Sequence, residues 1–197
     1  MPTTLTSLAP GTTRRMLLPL VCCAALLPAS LAAPAQAATP SKAQWLSDVN
    51  AAMQGSKTFV KNRVGDGGRK LAVNLDIDNT SLATYYDSGK AVARVLDFTQ
   101  YARSRGVVLL FNTGRLKGNG RLLRAKRQLN AAGYPVTRIC GRSSSHESLA
   151  HSKQRCRQSF VDAGYTVIAN VGNRATDFTG GNYERAFRLP NYHNQLG

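Results

Sequence analysis

The sequence predicts an α/β fold, a three-layer, doubly wound and mostly parallel sheet with helices on both faces. Two observations carry this. Short, nearly all-apolar runs of the kind buried on both faces recur along the chain, residues 71–75 and 107–111 being the clearest. Between such runs lie segments whose apolar residues recur at helical spacing and stop at a glycine. Strands alternating with helices call for a parallel sheet.

The elements follow in order. Thr39-Pro40 is a cap-then-proline helix start, and Trp45, Val49, Ala52 and Met53 then share one helical face. Residues 62–70, glycine-rich and charged, are expected as a loop before the first strand. Ala91, Val95, Phe98 and Ala102 mark a second helix that ends near Gly106, where the second strand begins. A basic helix over 122–132 stops at Gly133, and 136–140 is a brief strand. A helix over 152–163 stops at Gly164, 165–171 is a further strand, and 186–189 is a last short one. In such sheets ligands bind beyond the carboxyl ends of the strands, so chemistry is expected just after residues 75, 111 and 171.

Not all 197 residues belong to that domain. Arg14 and Arg15, an apolar run over 16–31 and the small-residue string Ala35-Gln36-Ala37 are the parts of an export signal. The run is short and is broken by Pro19 and Pro28, whereas a membrane span needs ~20 apolar residues. A buried N-terminal helix is the alternative, and it leaves the A-x-A string unexplained. Thr13-Arg14-Arg15-Met16 is also similar to a twin-arginine signal. The expected organisation is thus a signal peptide over 1–37 and one domain over 38–197, secreted and with no membrane contact in its mature form. No repeat or low-complexity segment follows the signal.

Cys22 and Cys23 fall within the signal, which leaves Cys140 and Cys156. An even count in an exported chain suggests one disulfide, the alternative being two buried thiols. No histidine pair stands at zinc-ligand spacing from them. Of 26 basic residues only Arg14 and Arg15 lie in the signal, against ten acids that all lie beyond it, so the mature domain carries a net +14. Such a field draws anions, from phosphorylated metabolites to nucleic acid, without choosing among them.

Three strand ends carry polar clusters. Asp76-Ile77-Asp78-Asn79-Thr80 follows the first strand, and two carboxylates two residues apart project to the same side. One can attack phosphorus while the other handles protons. Two anions facing a phosphate dianion call for a cation, and Mg2+ suits oxygen ligands and phosphate substrates. A lone D-x-D also serves sugar-nucleotide transferases or a plain turn. Asn112-Thr113-Gly114-Arg115 follows the second strand and offers a hydroxyl, backbone N–H groups and a guanidinium for phosphate oxygens. Gly172-Asn173-Arg174-Ala175-Thr176-Asp177 follows a later strand and offers an oxygen ligand and an acid. Lys153, on a helix between them, is a point charge that gains meaning only in this company.

In that order, D-x-D-x-T, T-G-R, a lysine and G-x-x-x-x-D, the motifs resemble the haloacid-dehalogenase-like (HAD) superfamily of phosphotransferases. The chain is most similar to the branch of secreted class B acid phosphatases and plant vegetative storage proteins, down to the closing Phe187-Arg188-Leu189-Pro190-Asn191. The resemblance runs from about Trp45 to the C-terminus and implies an aspartyl-phosphate on Asp76, with Asp78 as general acid/base. It further implies Lys153 as the neutralising charge, Thr113, Gly114 and Arg115 as the phosphate-binding segment, and Asp76, Asp78, Asn173 and Asp177 around Mg2+. The short interval after Thr80 leaves room for only a minimal cap over an open site that admits small phosphomonoesters. Nucleic acid would bind only through non-specific charge, and the sequence gives no oligomeric state.

One position departs from the family pattern. Asn173 stands where a metal-binding aspartate is usual, and losing that charge should weaken cation binding by about 1–3 kcal/mol. A weakened relative that binds phosphate or nucleotides without efficient turnover is the alternative function. Asn79 also replaces a common acid, at a position not expected to contact substrate.

Overall fold

The computed structural model describes residues 39–196. The expected export signal, with Cys22 and Cys23, lies outside them. The described elements run α1 (Lys42–Ala52), α2 (Ser56–Gly65), β1 (Leu71–Leu75), α3 (Ala93–Ser104), β2 (Val108–Leu116), α4 (Arg121–Ala131), β3 (Arg138–Arg142), α5 (Leu149–Asp162), β4 (Thr166–Gly172) and β5 (Arg185–Arg188). The strands form one sheet in the order β3-β2-β1-β4-β5, and each neighbouring pair is parallel.

Period-2 alternation along β1 sorts its side chains onto two faces. Val73 and Leu75 join Leu109, Phe111 and Val171 in the larger core, beneath Trp45 and Val49 of α1, Val95 and Phe98 of α3, and Leu129 of α4. Ala72 points to the smaller core with Leu110, Val167 and Phe160 of α5. Helices thus cover both faces, which is why the strands read as unbroken apolar runs.

Several boundaries differ from the sequence reading. Ser41 rather than Thr39 caps α1, its hydroxyl accepting from the Gln44 N–H at 3.2 Å. Part of the expected loop over 62–70 is helix instead, because α2 reaches Gly65. Gly55, at φ +71°, breaks the chain between α1 and α2 and lets Val60 turn into the core with Phe59 and Val64 alongside. Strand β2 runs on to Leu116, so Thr113-Gly114-Arg115 lies within its irregular end rather than after it. Helix α5 starts at Leu149, capped by Ser148 onto the His151 N–H at 3.2 Å, which places Lys153 on its second turn. Between β1 and α3 the chain makes only turns and two isolated bridges.

Cys140 on β3 and Cys156 on α5 are joined by a disulfide, with Cα atoms 5.7 Å apart. Closing a loop of this length stabilises by about 3 kcal/mol in the chain-entropy picture. Within that loop Glu147 accepts from Arg155 Nε at 2.8 Å and from the Ser143 N–H at 2.6 Å, tying the turn to α5. The Arg155 hydrogen bonds, helped by Ser143, outweigh burial and pull the Glu147 carboxyl down to about 2 from an ordinary 4.5. A depressed folded value means stability that is present above the unfolded value and lost as pH falls through the folded one. Glu147→Gln is therefore expected to cost about 1–2 kcal/mol at neutral pH, after allowance for screening. The difference from wild type should close near pH 2 in urea unfolding curves taken at both ends of that range.

Candidate active site

Strands β1, β2 and β4 end side by side, with Leu75 in register with Phe111 and Val171. Asp76 takes the next step, its N–H donating to the Val171 carbonyl at 2.9 Å. Its carbonyl accepts the Ser81 hydroxyl at 2.6 Å, and Oδ2 accepts the Thr80 hydroxyl at 3.2 Å. The turn over 76–81 is thus folded back on its own strand, with Asp76 only 7% exposed.

Lys153 reaches this carboxylate from α5. Its ammonium donates to Asp76 Oδ1, donates to the Asn112 carbonyl at 2.7 Å and lies 2.6 Å from Asp177 Oδ1. Those contacts account for all three donors of the ammonium. Burial pushes Asp76 up to about 6, with Asp177 and Asp78 adding to the rise and Lys153 opposing it. Burial alone would lower Lys153, but the Asp76 and Asp177 carboxylates outweigh it and hold the amine above its ordinary range, charged.

Asp78 faces Arg115, accepting Nε at 2.9 Å and Nη2 at 2.6 Å, and takes the Thr84 hydroxyl at 2.8 Å. Burial acts to raise its carboxyl, but the Arg115 fork and Thr84 prevail and hold it below the usual carboxylate range. The remaining Nη1 of Arg115 donates to Gln128 Oε1 at 2.6 Å. The guanidinium expected on substrate is therefore spent on Asp78. Thr113 is buried, and its hydroxyl accepts the Arg115 N–H at 3.2 Å. Gly114 and Arg115 line the cleft.

The end of β4 supplies the last cluster. Asp177 Oδ2 accepts the Arg174 N–H at 2.9 Å. A Cβ on Gly172 would come within 2.5 Å of the Asp177 side chain, so a glycine is what admits that carboxylate. Asn173 is buried, and neither side-chain polar atom has a partner. Such an orphaned oxygen, two residues past the Val171 carbonyl that holds the Asp76 N–H, suits a hard cation that takes oxygen ligands. The residues fit Mg2+, with one carboxylate fewer than the family pattern offers. Both oxygens of Asp177 are already held by Lys153 and Arg174.

The sequence reading missed the frame around these groups. Each central strand carries a buried asparagine. Asn74 Nδ2 donates to Asn170 Oδ1 at 2.5 Å, Asn170 Nδ2 to the Asp177 carbonyl at 2.8 Å, and Asn112 Nδ2 to the Lys153 carbonyl at 2.7 Å. Arg157, one turn beyond Lys153 and 0% exposed, donates to the carbonyls of Asp177 at 2.6 Å, Gly181 at 2.7 Å and Thr179. Asn79, at φ +54°, donates to the Leu196 carbonyl at 2.6 Å and accepts the Tyr85 N–H at 2.7 Å, joining two walls of the cleft. An acid there could not donate. The recurrence of Asn74, Asn112 and Asn170 inside apolar strands was the available signal.

Together these groups border an open cleft of about 390 Å³, walled by Leu149 and Leu196 and lined by Asp76, Asp78, Lys153 and Arg174. Its mouth is open because nothing longer than turns lies between β1 and α3.

The chain matches the family described as HAD superfamily, subfamily IIIB (acid phosphatase), over residues 85–195. That span holds Thr113, Lys153 and Asn173 to Asp177, while Asp76 and Asp78 lie just upstream. Among solved structures it is similar to the class C acid phosphatase from Bacillus anthracis, at 15% identity and a TM-score of 0.58, over 77% of this chain and 79% of that one. At that identity the likeness speaks for the fold. No curated protein sequence matches. Family match, parallel sheet and strand-end cluster agree, and the chain belongs to the subfamily IIIB acid phosphatases of the HAD superfamily.

Proposed function

We propose that this phosphatase is an exported, Mg2+-dependent hydrolase of small phosphomonoesters that works through an aspartyl-phosphate on Asp76. The observation that carries the reading is the buried Asp76 carboxylate, held at one oxygen by a charged Lys153 and open to the cleft beside Asp78.

Lys153 fixes Oδ1, which leaves Oδ2 to attack phosphorus as the bond to the leaving oxygen breaks. That oxygen takes a proton from the acid form of Asp78. Water then attacks the phosphorus of the acyl phosphate and gives its proton to ionised Asp78. The bond to Asp76 breaks, which frees inorganic phosphate and restores the carboxylate. Arg115 and Thr84 favour the ionised form of Asp78 that this second step needs, and the proton taken from water restores the acid form for the next first step. Asp76, the backbone carbonyl of Asp78 and Asn173 would hold Mg2+, which would supply positive charge to the phosphoryl oxygens. Asp177 and Arg157 act at one remove, through Lys153 and the 173–181 loop.

Export rests on the basic, apolar and A-x-A parts of residues 1–37. The Cys140–Cys156 bond is at home in an oxidising compartment. No described helix is long and apolar enough to cross a membrane.

Hydrolysis of p-nitrophenyl phosphate with Mg2+, with EDTA, and by Asn173→Asp tests this reading. Wild type should turn over, EDTA should stop it, and Asn173→Asp should reach half-maximal rate at about tenfold less Mg2+. Unpartnered Asn173 favours a second reading, a phosphate-binding relative without turnover. Activity confined to Asn173→Asp would establish that instead.

A further inference from the structure

Resting on the phosphatase reading of the cleft, we propose that Arg174 and Thr176 form a further phosphate-binding pair of this chain, beside the Thr113 to Arg115 segment to which the sequence pattern gives that part. The first observation is how the other cations near the cleft are spent. Lys153 is committed to Asp76, Asp177 and Asn112. Arg115 is committed to Asp78 and Gln128. Arg174 lines the same cleft, and among the described residues its guanidinium has no hydrogen bond, ion pair or ring contact.

The second observation is the neighbourhood. Thr176 also lines the cleft, and its hydroxyl is buried without a partner. A buried hydroxyl left unsatisfied costs free energy, so a ligand atom that accepts from it is favoured there. A guanidinium fork and a hydroxyl are both donors, and together they match phosphate oxygens, which accept only.

The third observation is that the backbone is fixed for the task. The Arg174 N–H donates to Asp177 Oδ2 at 2.9 Å, and the Arg174 carbonyl accepts the Asp177 N–H at 3.0 Å. Arg157 clamps the Asp177 carbonyl from behind. The Arg174 stem therefore leaves a rigid loop, and binding orders only the side chain.

Charge shows why the pair belongs to this chain. With Asn173 in place of an aspartate, the loop loses a negative charge beside a guanidinium that would otherwise find an ion-pair partner next door. Weaker cation binding and a free arginine arise at adjacent positions. The arginine returns to the phosphate part of the positive charge that a weakly held cation gives up.

The test is calorimetric titration of wild type, Arg174→Ala, Arg174→Lys and Thr176→Val with inorganic phosphate, which has no leaving group. Thermal melts and p-nitrophenyl phosphate kinetics accompany it. Arg174→Ala should weaken phosphate binding about tenfold and raise KM in step, as expected for a lost charge-assisted pair. Arg174→Lys should recover part of the loss, because a point charge replaces the fork, and Thr176→Val should lose less than Arg174→Ala. The melting temperature of Arg174→Ala without phosphate should stay at the wild-type value, since the guanidinium has no partner in the fold. Unchanged phosphate affinity in Arg174→Ala overturns the pair, as does a KM rise without a matching loss of phosphate binding, which would place Arg174 on the leaving group. If wild type binds phosphate through Arg174 yet never hydrolyses an ester, the pair stands and the hydrolase reading falls.

Discussion

Asp76→Asn is expected to lower turnover by roughly four orders of magnitude or more while leaving the protein folded and able to bind phosphate. The amide keeps the shape of the carboxylate and can still accept the Thr80 hydroxyl. It cannot form the acyl phosphate. Its melting temperature at neutral pH should equal or exceed that of wild type. Burial raises Asp76 to about 6, so the folded state binds a proton more tightly there than the unfolded chain does. A group raised in this way contributes stability below its unfolded value and loses it as pH rises through the folded one. Removing the charge therefore relieves a penalty at neutral pH. A variant that keeps a tenth of wild-type turnover would place the nucleophile elsewhere.

Lys153→Met is expected to cost about 3–5 kcal/mol at neutral pH, the scale for leaving buried charge without its partner. Methionine has nearly the length of lysine, so packing against α5 is largely kept and the loss is electrostatic. Asp76 and Asp177, both almost fully buried, then face each other without the ammonium. The Asp76 carboxyl, already raised by burial, rises further without the ammonium that opposes the rise, and the penalty should shrink as pH falls and it takes up a proton. Urea unfolding at several pH values measures this. A cost that does not change with pH would mean that packing, not charge, is what Lys153 supplies. Turnover should fall as well, because Asp76 loses the contact that fixes Oδ1.

The strand ends were legible because their signals are local. An apolar run followed by Asp76-Ile77-Asp78 states both the strand and where it stops. The parallel order β3-β2-β1-β4-β5 then brings together Asp76, Asn112 and Gly172 from widely separated segments. The short interval after Thr80 gave the open mouth in the same way. Helix α2 was hidden because Gly65, Gly67 and Gly68 follow closely on Val60 and Val64, and a glycine-rich end masks a helical face.

Partner choice inside the site was not legible. Sequence offers Arg115 and Arg174 as two cleft arginines, and only the fold shows that Asp78 and Gln128 claim the first. Arg157 reads as one more cation on a basic helix, yet it is fully buried against three carbonyls of the 177–181 segment. Its role depends on a loop twenty residues away along the chain, which no local pattern records. Asn79 escapes a local pattern for a related reason, since its partners are a backbone carbonyl and a backbone N–H.

The most direct test of the Asp76 mechanism is to quench turnover of a radiolabelled phosphomonoester in acid and map the labelled residue. A phosphoryl group on Asp76, absent from Asp76→Asn and released as inorganic phosphate when turnover is allowed to finish, is the predicted result. Steady hydrolysis with no label trapped at any time, or a label on another residue, would contradict it.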